Sequence, residues 1–90
     1  MLEWDEEKRA ANLAKHGVDF AVAERIDWAA ALTAEDARAA YGERRLVTLA
    51  DIDGRLHFCA WTYRGNRIRI ISLRKANRRE QAIFSAKAAD

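Results

Sequence analysis

From Arg45 onward the apolar residues recur at every second position. That alternation is interrupted by two short stretches, Asp51-Ile52-Asp53-Gly54 and Arg64-Gly65-Asn66. A period of two is the signature of an extended strand, and connections this short join antiparallel neighbours. The second half of the chain is therefore committed to a meander, with strands predicted over 45–50, 56–63 and 67–74 and Gly54 supplying a positive φ in the first turn. On the middle strand Leu56, Phe58 and Ala60 fall on one face and Cys59, Trp61 and Tyr63 on the other, so both faces of the sheet need some cover.

The first half reads differently. Asp5 is placed to cap a helix, Glu6 and Glu7 stand in its first turn and Lys15 and His16 in its last, and Gly17 follows as the left-handed stop. Each is favoured by the unpaired backbone groups and dipole of a helix over 5–16. Asp19 opens a second, shorter helix over 19–27, with Phe20 and Ala23 on its apolar side. Met1–Trp4 suits an edge strand and 30–33 a short strand, while 35–43 is polar and reads as loop. Asn77 caps a last helix, with Glu80 at capping-box spacing. The order (β)-α-α-β-β-β-α predicts an α+β fold: a small antiparallel sheet of three to four strands, with N-terminal helices and a C-terminal helix packed on it. Ninety residues suit one domain spanning 1–90.

Charge is distributed unevenly. Arg64, Arg67, Arg69, Arg74, Lys75, Arg78 and Arg79 fall within sixteen residues that hold no acid; seven positive charges against a net +2 leave −5 for the remainder. A positive patch interleaved with Ile68, Ile70, Ile71 and Leu73 sits on a strand and not on a tail, and such a patch attracts phosphate or an acidic protein. An unbroken strand points Arg67 and Arg69 to one side and Ser72 and Arg74 to the other. Arg74, at the strand's end, and Arg78, at the helix's start, can gather guanidinium and helix N–H donors around one phosphate.

Several classes of chemistry have no motif here. A single cysteine, Cys59, forms no intramolecular disulfide and no zinc cluster; His16 and His57 are isolated; there is no HExxH, Walker or GxGxxG sequence. No cofactor and no metal are expected. No apolar run reaches the ~20 residues of a membrane helix, and the acidic start is unlike a signal peptide, so no membrane partner is expected and the cytoplasm is the expected compartment. His16 fits either a proton-exchanging group or a helix end, and Lys8 and Asn12, one turn apart, face either a ligand or water. His57, Glu80, Cys59 and the three tryptophans fit structural roles, Glu80 through the capping box.

Two stretches, EWDEEKRAANLAKHGVDF and RIISLRKANRRE, resemble the BrnT family of bacterial toxins. The first carries Trp4, Asp5, Lys8, Asn12, Lys15, His16, Gly17, Val18 and Phe20 at the family's spacing, and the second Arg69, Ile70, Ile71, Ser72, Arg74, Ala76 and Glu80. Residues 27–42 match poorly, Leu73 stands where alanine is common, and Phe84 where tyrosine is common. The resemblance implies a RelE-like fold and a ribonuclease toxin of a type II toxin–antitoxin pair. The implied partner is a BrnA-like antitoxin with a ribbon-helix-helix domain, and operator DNA is reached only through that complex. For metal-independent cleavage of RNA the expected catalytic residues are Arg74, His16, Lys8 and Arg69, with Arg67, Arg78, Lys75 and Ser72 binding substrate. A non-catalytic basic binding module, including a degenerate toxin that only binds its antitoxin, is the competing reading.

Overall fold

The structure, a computed structural model, describes residues 1–38 and 40–89. Strand β1 (Leu2–Trp4) leads into helix α1 (Glu6–His16). Two 3-10 turns follow at Phe20–Arg25 and Trp28–Ala30, and then β2 (Leu32–Glu35), β3 (Arg45–Ile52), β4 (Arg55–Arg64), β5 (Arg67–Lys75) and helix α2 (Arg78–Ala88). The strands form one sheet in the order β1-β5-β4-β3-β2. The α+β class stands, but the sheet has five strands and is mixed: β1 pairs parallel to β5, Leu2 opposite Ile68, and every other pairing is antiparallel. Three residues of strand carry too little pattern to fix a direction. The second helix is a 3-10 segment, six residues long.

Local signals account for the boundaries. Asp5 accepts from the Lys8 backbone N–H at 3.1 Å, and Gly17, at φ 72°, closes α1 by donating to the Leu13 carbonyl at 2.8 Å. Between β3 and β4 the turn shrinks to Asp53-Gly54, with φ of 53° and 83°; two successive positive values make a type I′ turn, matched to the twist of a hairpin. At α2 the Asn77 side chain accepts from the Glu80 N–H at 2.8 Å while Glu80 accepts from the Asn77 N–H at 2.9 Å, a complete capping box.

The core divides across the sheet. One face packs Cys59, Trp61, Ile70 and Leu73 against Val18, Phe20, Ala23 and Ile26 from the segment after α1. The other gathers Leu49, Leu56, Phe58, Ala60 and Ala76 with half-buried Leu32, Val47, Ile71 and Phe84. The alternation predicted for β4 thus holds up to Tyr63, which is exposed. α1 is attached by an unexpected device. Its only buried side chain is Asn12, whose amide donates to the Leu73 carbonyl at 2.6 Å and the Val18 carbonyl at 3.0 Å and accepts from the Leu73 N–H at 3.2 Å. β1 stops pairing with β5 at Ile70. Asn12 takes over as a one-residue substitute strand, satisfying a buried peptide that would otherwise be unpaired.

Candidate functional site

The site is set by one irregularity in β5. Ser72 pairs with Ala60 but Ile70 with Trp61, so Ile71 is an extra residue. A bulge of this kind reverses which way the following side chains point. Arg67, Arg69, Ser72 and Arg74 lie opposite Arg64, Thr62, Ala60 and Phe58 respectively. Those four β4 residues alternate and therefore share a face. The expectation that Arg67 and Arg69 point away from Ser72 and Arg74 is overturned: the bulge brings all four to one face. Arg45, opposite Thr62, joins them from β3.

Carboxylates balance this arginine face only in part. Arg69 meets Glu3 at 2.8 Å and Arg67 reaches the same carboxylate at 3.9 Å; Arg45 and Arg64 share Glu43, each at 3.9 Å. Four guanidiniums thus answer to two carboxylates. Arg45 also lies over the Tyr41 ring at 4.1 Å, with its Nε–H buried and without a hydrogen-bond acceptor among the described residues. Farther along β5, Arg74 is fixed from two sides. Its guanidinium sits 4.1 Å from the centre of the Phe58 ring and makes a two-pronged pair with Glu80, both contacts at 2.8 Å. The Arg74 hydrogen bonds, helped by the Asn77 N–H, hold the Glu80 carboxyl below its ordinary value against the opposing effect of burial. Glu80 is therefore a poor base and a good anchor. Arg74 keeps N–H donors beyond the two that Glu80 takes and the one that reaches the Lys75 carbonyl at 3.3 Å, because guanidinium carries five.

At the sheet edge, α1 and β5 flank an open hollow of about 230 Å³, lined by Lys8, Asn12, Lys15 and His16 from the helix and Ile71 and Ser72 from the strand. Among the described residues its lining includes no carboxylate. His16 precedes the left-handed Gly17, and Lys8 lies two turns earlier on the same helix. Ser72 belongs both to this hollow and to the arginine face, two residues or about 7 Å of strand from Arg74.

The sequence-chosen residues fall into three groups. Lys8, His16 and Ser72 share the edge hollow. Arg67, Arg69 and Arg74 share the face beside it. Lys75 and Arg78 stand apart. Lys75 lies opposite His57, on the other face, in a hollow with Leu13, Asp19 and Ile52. Arg78 is exposed on the first turn of α2, with no ion pair among the described residues. Asn12, paired in the sequence with Lys8, is structural, and His57 is buried with Nδ1 2.8 Å from the Arg55 carbonyl. Phe58 and Glu80 hold Arg74 in place. The capping box gave Glu80 a signal, but nothing in a strand's alternation marks Phe58 as the seat of a cation. Phe84 packs its half-buried ring with the Leu49 and Phe58 group.

A row of guanidiniums on a sheet face, beside an amine- and imidazole-lined hollow, defines a small α+β protein equipped to hold a polyanion. Comparison with known families supplies the particular one. A family model described as "Ribonuclease toxin, BrnT, of type II toxin-antitoxin system" matches residues 4–80, and the chain belongs to that family. It is thus a ribonuclease toxin of a type II toxin–antitoxin system, with RNA as its target and an antitoxin as its partner. No curated protein matches the chain. Among the described residues no helix is long and apolar enough to cross a membrane.

Proposed function

We propose that the protein is a metal-independent endoribonuclease that uses the RNA's own 2′-hydroxyl as nucleophile, acting at the junction of the arginine face and the edge hollow. The observation that carries this reading is the Ile71 bulge, which sets Arg69, Ser72 and Arg74 on one face beside the hollow of Lys8 and His16. The 2′-oxygen attacks the adjacent phosphorus while its proton passes to a group in the hollow. The bond from phosphorus to O5′ breaks, and a second proton goes to the departing oxygen. The products are a 2′,3′-cyclic phosphate and a 5′-hydroxyl. His16 and Lys8 exchange the protons, each worth ~10²–10⁴ in rate. Arg74, preorganised by Glu80 and Phe58, stabilises the extra negative charge of the phosphorane, and Arg69 assists. The arginines serve as hydrogen-bond donors to the phosphate. Arg67 and Ser72 contact flanking phosphate and sugar.

On this reading residues 1–90 act as a single toxin unit in the cytoplasm. The antitoxin is of the BrnA type, with a ribbon-helix-helix domain through which the complex reaches operator DNA. An acidic segment of it covering the arginine face would neutralise the toxin by charge complementarity. The experiment is incubation of the purified chain with RNA in EDTA, wild type beside Arg74→Ala and His16→Ala, with analysis of the new ends. Wild-type cleavage leaving cyclic phosphate and 5′-hydroxyl, lost in both variants, is the expected result. RNA that stays intact but is retained in a salt-sensitive manner would instead identify a binding module.

A further inference from the structure

The loop between β2 and β3 contains an arrangement that the cleavage scheme above does not use. Asp36 is buried, its side chain only 2% exposed, in a loop whose other described members are mostly exposed. It accepts two hydrogen bonds from the Arg38 guanidinium at 2.8 Å, one from the Arg38 backbone N–H at 3.2 Å and one from the Tyr41 hydroxyl at 3.1 Å. The Arg38 side chain it holds is 65% exposed. A buried carboxylate is costly unless fully hydrogen-bonded. Here that cost is met in order to hold an exposed cation still.

Arg38 is held over a particular target. Its guanidinium lies 5.7 Å from the centre of the same Phe58 ring that carries Arg74. Two arginines thus flank one aromatic ring, each gripped two-prongedly by its own carboxylate, Asp36 for one and Glu80 for the other. Between loop and helix Arg38 borders a hollow of about 380 Å³, with Phe58, Val47 and Ile83 as its apolar lining and Glu35, Asp36, Asn77, Arg79 and Glu80 as the rest of its polar lining. That volume lies within the ~300–1,000 Å³ of small-ligand pockets. The three carboxylates of the lining are each paired with an arginine, Asp36 with Arg38, Glu35 with Arg44 and Glu80 with Arg74, so an apolar surface with Arg38 and Arg79 at its border suits a base with its phosphate.

We propose that this hollow is a nucleotide subsite for the RNA next to the cleaved bond, in which Arg38 is a second phosphate-binding cation and Asp36 and Tyr41 are its positioning residues. The proposal deepens the ribonuclease reading and rests on it. Arg74 serves the reacting phosphate; Arg38 serves the neighbouring one, across Phe58. Asp36 stays ionised through the working pH range, its carboxyl held down to about 2 chiefly by the Arg38 side-chain hydrogen bonds.

The test uses the full chain and two single-stranded oligonucleotides of one sequence, one all-ribose and one with 2′-deoxyribose throughout, which cannot react. Cleavage is followed on the first and affinity against salt on the second. Each phosphate contact to a single strand contributes about 0.7 to the slope of log affinity against log salt. Arg38→Gln is expected to lower that slope by about 0.7 and to weaken binding about tenfold. Arg38→Lys restores the slope but not the full affinity, because an ammonium cannot reproduce the fixed fork. Tyr41→Phe, which leaves the charges in place, raises KM and leaves kcat within about threefold. Arg25→Gln, an exposed arginine paired with Asp53 away from this hollow, is the control and changes neither. If wild type cleaves and Arg38→Gln matches it in slope and affinity, the subsite is wrong and the ribonuclease reading stands. If wild type does not cleave, the ribonuclease reading fails, and the slope of the deoxy oligonucleotide still decides whether Arg38 holds a phosphate.

Discussion

The two faces of β4 and β5 are made from alternate residues of the same strands, yet they behave as different materials. On one, Cys59, Trp61, Ile70 and Leu73 are at most 4% exposed and belong to one apolar cluster, crossed by the Trp61–Thr48 and Asn12–Leu73 hydrogen bonds. On the other, Phe58 and Ala60 are equally part of a core, but the row continues into Arg64, Arg67, Arg69 and Arg74. This fold thus concentrates its stability on one side so that the other can hold like charges close together. Repulsion among guanidiniums is tolerable where the packing is borrowed from the opposite face. A single extra residue, Ile71, keeps the division clean.

That contrast can be broken most forcefully from the packed side. Leu73→Ala removes a fully buried side chain and should cost ~2–5 kcal/mol of stability, while folded protein keeps its cleavage rate. Denaturant unfolding beside initial rates checks both halves. On the arginine face the weight shifts to the rate: Arg74→Ala should lower kcat by ~10²–10³ and stability by ~1–3 kcal/mol, as the 15%-exposed Glu80 side chain loses its partner. Should both substitutions reduce stability and rate alike, the two faces are not separate in function.

The edge between the faces provides a smaller effect. Asn12→Ala leaves the Leu73 N–H and carbonyl without their partner, at ~1–3 kcal/mol for an unsatisfied group, and frees α1 to move. Hydrogen exchange at the Leu73 amide should accelerate more than exchange at Cys59, its neighbour across the strands. The mildest effect is with pH. Because the folded Asp36 carboxyl is depressed to about 2 from the ordinary 3.8, its contribution to stability is complete above that ordinary value and is lost as pH falls toward 2. The melting temperature of wild type should therefore drop more steeply than that of Asp36→Asn between pH 4 and 2 (about the range set by the two values).

Much of this architecture was legible in the residues themselves. The turns at Gly54 and Gly65, the signed ends of α1 and the Asn77–Glu80 box are local devices, and local devices leave local spelling. The parts that escaped are long-range. Asn12 looks like any polar residue on a helix until Leu73, sixty-one residues away, supplies its reason. Asp36 and Arg38 sit in a stretch with no period, and only Phe58 beneath them gives their geometry a purpose. The bulge has no composition at all: Ile71 is an apolar residue among apolar residues, and strict alternation assigned the arginines to opposite faces. The family's spacing pointed to Arg69, Ser72 and Arg74 without revealing that they share a side.

The most direct measurement compares the faces by charge alone. RNA cleavage in EDTA is followed for Arg69→Gln and Arg74→Gln on the arginine face, and for Arg55→Gln and Lys75→Gln on the other. The first pair is expected to lose most of its activity and the second pair to keep it, all four remaining folded. Equal losses from both faces, or losses confined to Arg55 and Lys75, would contradict it.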